Sequence, residues 1–380
     1  MPQLSIARHL TQPHGDVPPS WQRKVWNCVC GQPVFFRNSH CLKCHSELGY
    51  LPGSDEILTL DPLADGTWRV RNFGFVPHFG APLRRCANFS TDGGCNWLVT
   101  DGADYCVACR LNRTIPDLSM AQNGEHWHKI EVAKRRLIAQ LINVGLPIVS
   151  KGEDPARGLA FDFLAPDANG RPKTGHCDGI ITINVLEASD VYREEMRTQF
   201  GEPYRTVLGH LRHEIGHYYW YRLVENTPWH AQFRSLFGDE REDYEQALSR
   251  HYAEGGRSDW HLNCVSAYAS VHPWEDWAES WAHYLHVNDA VDTAIGFGMD
   301  PHRSVIEFHP FTREALSNPL ADDAEDFLWL INGWVQLAMM LNELSRSLGQ
   351  HDFYPFVLSV SAVQKLHFIH SVIAETAARR

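Results

Sequence analysis

Eight of the ten cysteines lie in the first 110 residues, in two sets of four with closely matched spacing. Cys28 and Cys30 are followed after ten residues by Cys41 and Cys44, and Cys86 and Cys95 are followed after ten residues by Cys106 and Cys109. A Cys-x-x-Cys turn brings two thiolates to one ion with backbone amides aimed at the sulfurs, and a second pair from a hairpin completes a tetrahedral shell. Four thiolates leave no open coordination position, so both sets read as structural zinc sites. The opening "MPQLSIARHLTQPHG" is too polar for a secretory leader, and in an intracellular chain this distribution favours metal over disulfides. "EILTLDP" and "TWRVRNFGFV" read as short strands separated by turn signals at "PGSD" and "ADG". The expectation is a pair of zinc ribbons, with an interleaved arrangement of the cysteine pairs left open. Cys177 and Cys264 stand apart and read as small buried residues.

The 380 residues, 44% of them hydrophobic, can bury a large core. The change in composition divides the chain into a ribbon region at 1–118 and a second domain at 119–380. The net charge of −12 falls almost entirely on the second part, which disfavours nucleic-acid binding through a broad basic surface. The longest apolar run, "FLWLINGWVQLAMML", is shorter than the roughly 18–20 residues needed to cross a bilayer. It reads as a buried helix within 322–376, and the expected location is the cytoplasm, with no membrane partner.

The segment "YRTVLGHLRHEIGHYYWYRLV" at 204–224 has helical apolar periodicity. His213 and His217 are four apart, about 40° around the axis, so both imidazoles can face one ion, with Glu214 on the adjoining edge. This His-Glu-x-x-His arrangement suits two zinc-binding histidines and a carboxylate that takes a proton from a metal-bound water. With 22 histidines in the chain, the pattern needs a third ligand to stand apart from chance. The extension with Gly and His further along the helix fails, because Trp220 and Leu223 occupy those positions. "SAYASVHPWEDWAESWAHYLH" offers an alternative. Pro273 suits a first helical turn, and Glu275, Glu279 and His283 then share one face, with Ala278 and Ala282 small enough for close helix approach. Helical phase alone leaves either glutamate as the ligand that completes a His-His-Glu site.

Glu275-x-x-Ala278-Glu279 after a His-Glu-x-x-His helix resembles the gluzincin pattern. Together with the cysteine-rich front, "GHCDGIITINVLEASD", "LFGDERED" and "HPWEDWAESWAHYLH", nearly the whole chain is similar to bacterial zinc-binding metallopeptidases that carry an N-terminal zinc ribbon. That resemblance implies an α+β chain: small β zinc-ribbon modules, then a mainly helical gluzincin-like metallopeptidase domain with a small sheet. It implies His213, His217 and Glu275 as zinc ligands, Glu214 as general base and Glu279 as the residue that orients a ligand histidine; His283 is expected near them only because it shares a helix face with Glu279. It also implies Tyr268 as an oxyanion donor. The strand at 179–184, "GIITIN", is similar to the edge strand that pairs with substrate in such proteases. His210 could reach the face of the motif and reads as a hydrogen-bonded supporting or core histidine; His176, His251, His272 and His286 read as packing or surface residues, and the acids of "LFGDERED" as a solvated turn between helices.

The expected activity is therefore zinc-dependent hydrolysis of a peptide or protein substrate, with one catalytic and two structural Zn2+ ions. The rival is a zinc-stabilised scaffold or partner-binding protein with a retired His-Glu-x-x-His helix. A purely structural site has no need of an acid at position 214, which favours the enzyme.

Overall fold

Three small antiparallel sheets form the cysteine-rich front of the computed structural model, which describes residues 24–71, 82–168, 170–200, 202, 204–254 and 257–379. β1 (Trp26–Asn27) pairs with β2 (Pro33–Val34); β3 (Glu47–Leu51), β4 (Glu56–Pro62) and β5 (Trp68–Val70) form a meander; β6 (Arg84–Arg85) pairs with β7 (Leu98–Val99). β4 falls on "EILTLDP". β5 covers only the start of the second expected strand, and its remainder, 72–76, lies outside the described residues. Tyr50 joins the sheets, its ring 4.8 Å from Phe36 and 5.0 Å from Trp97. So few strands bury little apolar area, which is why such modules lean on metal for stability.

β8 (Asn112–Thr114) leaves the front and enters a fourth, four-stranded sheet with β9 (Ala160–Leu164), β10 (Gly175–Cys177) and β11 (Ile180–Asn184), in the order β10-β11-β9-β8. β11 runs parallel to β9 and antiparallel to β10. The strand expected at a sheet edge, 179–184, is therefore internal. The edge belongs to β10, because the tight turn at Asp178–Gly179 folds "GHC" back over "IITIN".

Helices make up most of the rest: α1 (Ala121–Asn143), α2 (Asp190–Phe200), α3 (Val207–Tyr219), α4 (Trp229–Phe237), α5 (Tyr244–Glu254), α6 (Pro273–Gly296), α7 (Ala324–Ser347) and α8 (Val360–Ala378). The architecture is α+β, with a ribbon region followed by a mainly helical domain. One apolar core runs from Trp26 and Tyr50 through Trp127, Phe161 and Trp277 to Phe368. Among the described residues no helix is long and apolar enough to cross a membrane.

Two helices position the site. The Thr206 hydroxyl accepts from Gly209 N at 3.0 Å and starts α3, which passes into one π-helical turn at Trp220–Val224. α6 begins with Pro273, and the His272 ring accepts from Trp274 N at 3.1 Å. The two helices meet at Gly216, whose carbonyl accepts from Trp277 Nε1 at 2.8 Å. A Cβ built on Gly216 would stand 3.1 Å from Ala278 Cα and 3.2 Å from Trp281. Gly216→Val is expected to lower stability by about 1–3 kcal/mol through overpacking and to loosen metal binding, as read by urea unfolding and zinc content. A variant as stable as the parent would remove close approach as the reason for this glycine.

Candidate metal centres

Three groups of side chains converge as metal ligands would, each with its ligand atoms within 4.8 Å of one another: Cys28, Cys30, Cys41 and Cys44; Cys86, Cys95, Cys106 and Cys109; and His213, His217 and Glu275. Each cysteine set closes on itself, so the sets are not interleaved. Cys28 and Cys44 sulfurs are 3.5 Å apart, while the Cys30–Cys41 and Cys95–Cys106 pairs are each at 3.7 Å. Disulfide sulfurs would be about 2.05 Å apart, whereas four thiolates about 2.3 Å from one zinc sit about 3.8 Å from each other. The geometry fits zinc.

The two sets differ in their surroundings. In the first, Cys44 is exposed and Cys30 half-buried, and Ser46, through its hydroxyl and amide, draws the Cys44 thiol down to about 6. In the second all four are buried. Helix α1 closes it: Glu131 Oε2 lies 3.9 Å from Cys109 Sγ, and Lys134 and Arg135 approach Glu131 at 2.7 and 3.3 Å. A zinc with four thiolates carries two net negative charges, of which Lys134 and Arg135 offset one after their pairing with Glu131. A chelator titration is expected to free the first set of thiols well before the second, as read by a thiol-reactive dye with peptide mapping. Release of both sets together would show that burial does not set the order.

At the third group, His213 Nε2 lies 3.0 Å from Glu275 Oε2, His217 Nε2 lies 3.6 Å from the same oxygen, and the two Nε2 atoms are 3.2 Å apart. Glu275 Oε2 is buried with no hydrogen-bond partner despite this crowding, as expected of an atom that faces a cation. Glu275 Oε1 accepts from the Tyr244 hydroxyl at 2.9 Å, which leaves one carboxylate oxygen for the shared point. Glu279 Oε1 is 2.8 Å from His213 Nδ1, and the Ser266 hydroxyl donates to Glu279 Oε2 at 2.6 Å. Thus Glu279 fixes the His213 tautomer so that Nε2 is free to ligate.

Burial works against charge at His213, Glu275 and Glu279, and their partners override it. Glu279 is held down at about 2 by His213 despite its burial, and Glu275 lies well below the carboxylate range because of His217 and His213. The two glutamates outweigh burial at His213 and hold its pKa well above the ordinary value. A divalent cation would replace the proton that His213 holds, so metal binding should release protons.

Glu214 is buried beside the histidines, and among the described residues nothing hydrogen-bonds its carboxylate. Tyr268 lies with its ring 6.0 Å from His213 and interacts with the Tyr244 hydroxyl. His283, expected beside Glu279, instead places Nδ1 2.6 Å from the Tyr354 hydroxyl and meets Glu279 only through its charge.

Two positions depart from their sequence readings, and a third, Tyr244, carries none. His176, on edge strand β10, is no packing residue remote from the centre: its ring lies 6.3 Å from His217 and 5.8 Å from Tyr221. Cys177, read as buried, is exposed, because alternation along β10 turns it away from His176. Tyr244 follows the acidic turn that was read only as surface. None of the three carries a spacing signal: His176 and Tyr244 reach the centre by tertiary folding, and Cys177 faces away from it.

Residues 123–372 match the family described as "putative zinc-binding metallo-peptidase", and residues 25–120 match a zinc-ribbon domain. The chain is similar to uncharacterized proteins of Mycobacterium bovis and Mycobacterium tuberculosis, 41% identical over 351 residues, which span 92% of this chain and 94% of each relative. No solved structure matches it.

Proposed function

This chain belongs to the zinc-binding metallo-peptidase family, and we propose that it hydrolyses peptide bonds at a zinc held by His213, His217 and Glu275 in the gluzincin manner, with Glu214 as general base. The observation that carries this reading is the convergence of two Nε2 atoms and one orphaned carboxylate oxygen beside a buried, unengaged carboxylate. Zinc at that point would supply Lewis acidity to the scissile carbonyl and lower the pKa of the attacking water. Glu214 takes the proton of that water and delivers it to the leaving amine. The Tyr268 hydroxyl donates to the developing oxyanion, while Tyr244 and Glu279 hold Glu275 and His213 in place and act through them.

Substrate lies along β10, whose outer edge is free among the described residues and which carries His176 to the centre. Main-chain pairing there would present an extended peptide to the metal. Trp274, 4.2 Å from the His217 ring, and Tyr221 shield the same side from water. The partner is thus a peptide or protein rather than nucleic acid, and the two cysteine sites hold structural zinc.

Incubation of the zinc-loaded chain with a peptide library, read by mass spectrometry, is expected to give cleavage that phenanthroline stops and added zinc restores. Zinc content at three per chain without any cleavage would favour the scaffold reading.

A further inference from the structure

Further along α6 from Glu279 lies a cavity of about 310 Å³, lined by the helix from His283 to Ala294, by Leu208 and Arg212 of α3 and by Trp334 and Leu337 of α7. His213, Glu214, His217 and Glu275 take no part in its wall, so it is distinct from the metal centre. Its size sits at the lower end of the range of small-molecule sites, and its surface is mainly apolar.

The polar groups in that wall are arranged for an acceptor. Arg212, 2% exposed, reaches Asp289 Oδ2 at 2.7 Å and His286 Nδ1 at 2.6 Å. A guanidinium can only donate, so His286 Nδ1 accepts and its proton must sit on Nε2. Burial, followed by the Arg212 charge, keeps that imidazole neutral. The Nε2–H of His286 has no hydrogen-bond partner among the described residues, although a donor in such a wall normally finds one. Three cations, Arg136, Arg212 and Lys24, meet two carboxylates, Asp289 and Asp292, which leaves one positive charge in surplus. The cavity is therefore biased toward positive charge in a chain whose net charge is −12.

We propose that this cavity binds a small monocarboxylate with an apolar body, the carboxylate taken by the His286 Nε2–H under the surplus positive charge and the body by Leu208, Leu337 and Phe356. One surplus positive charge suits a monoanion better than a dianion. The apolar wall excludes an anion without a hydrocarbon or aromatic body.

Calorimetric titration of the full zinc-loaded chain with octanoate, 1-octanol and acetate tests this. Octanoate is expected to bind at one site per chain, about tenfold more tightly than 1-octanol, with acetate not binding. Ala294→Phe fills the cavity and should abolish octanoate binding. Should that variant fail to fold, His286→Phe removes the unpartnered N–H and keeps an aromatic ring in the wall, and should weaken octanoate severalfold more than 1-octanol. His217→Ala should bind octanoate as the parent does. No saturable binding, equal octanoate affinity in the folded cavity variants, or loss of binding in His217→Ala, which would place the anion on the metal, would each overturn the proposal.

Discussion

Glu214→Gln is expected to keep the fold and the full zinc content while peptide hydrolysis falls by about 10²–10⁴-fold, the usual contribution of a positioned general base. Glutamine has nearly the shape of glutamate and fits the same buried position, but its amide cannot accept the water's proton. Because nothing among the described residues hydrogen-bonds the Glu214 carboxylate, the substitution breaks no structural contact. The loss should therefore appear in kcat, with KM and unfolding midpoint little changed. Single-turnover rates beside elemental analysis check this. An unchanged rate in a fully loaded variant would remove Glu214 from proton transfer.

The legible part of this molecule is the part held close by helical geometry. His213 and His217 lie one turn apart, so their spacing already implies a shared direction, and Glu275 and Glu279 are related in the same way on α6. Phase leaves the choice between the two glutamates open, and depth separates their surroundings: Glu275 Oε2 lies against both Nε2 atoms, while Glu279 meets His213 at Nδ1. The cysteine sets were legible because a tetrahedral shell demands four thiolates at short range. Tyr244, Ser266 and His176 were not legible. Each arrives through a turn or strand whose placement depends on the rest of the fold, and a tyrosine, serine or histidine in isolation has many uses. The assignment of 179–184 to a sheet edge failed for a related reason. Strand composition reports that a segment pairs, whereas the order of strands in a sheet depends on which neighbour folds back first, here across Asp178–Gly179.

His217→Ala is expected to lower zinc from about three per chain to about two, because the three ligand groups share no residue. The ribbons should be untouched: their sulfurs are held by β-hairpin turns and by α1, whereas His217 stands on α3. Loss of one imidazole leaves two ligands and two adjacent carboxylates, too few neutral donors for tight binding. Glu279→Ala should act differently. It keeps every ligand and removes only the partner of His213 Nδ1, so zinc affinity should fall by about 10–100-fold rather than vanish. At saturating zinc, Glu279→Ala would then regain a full complement while His217→Ala would not. If instead both variants retain three zincs after dialysis, the third ion lies elsewhere, and the convergence of His213, His217 and Glu275 would have to be explained by a shared proton.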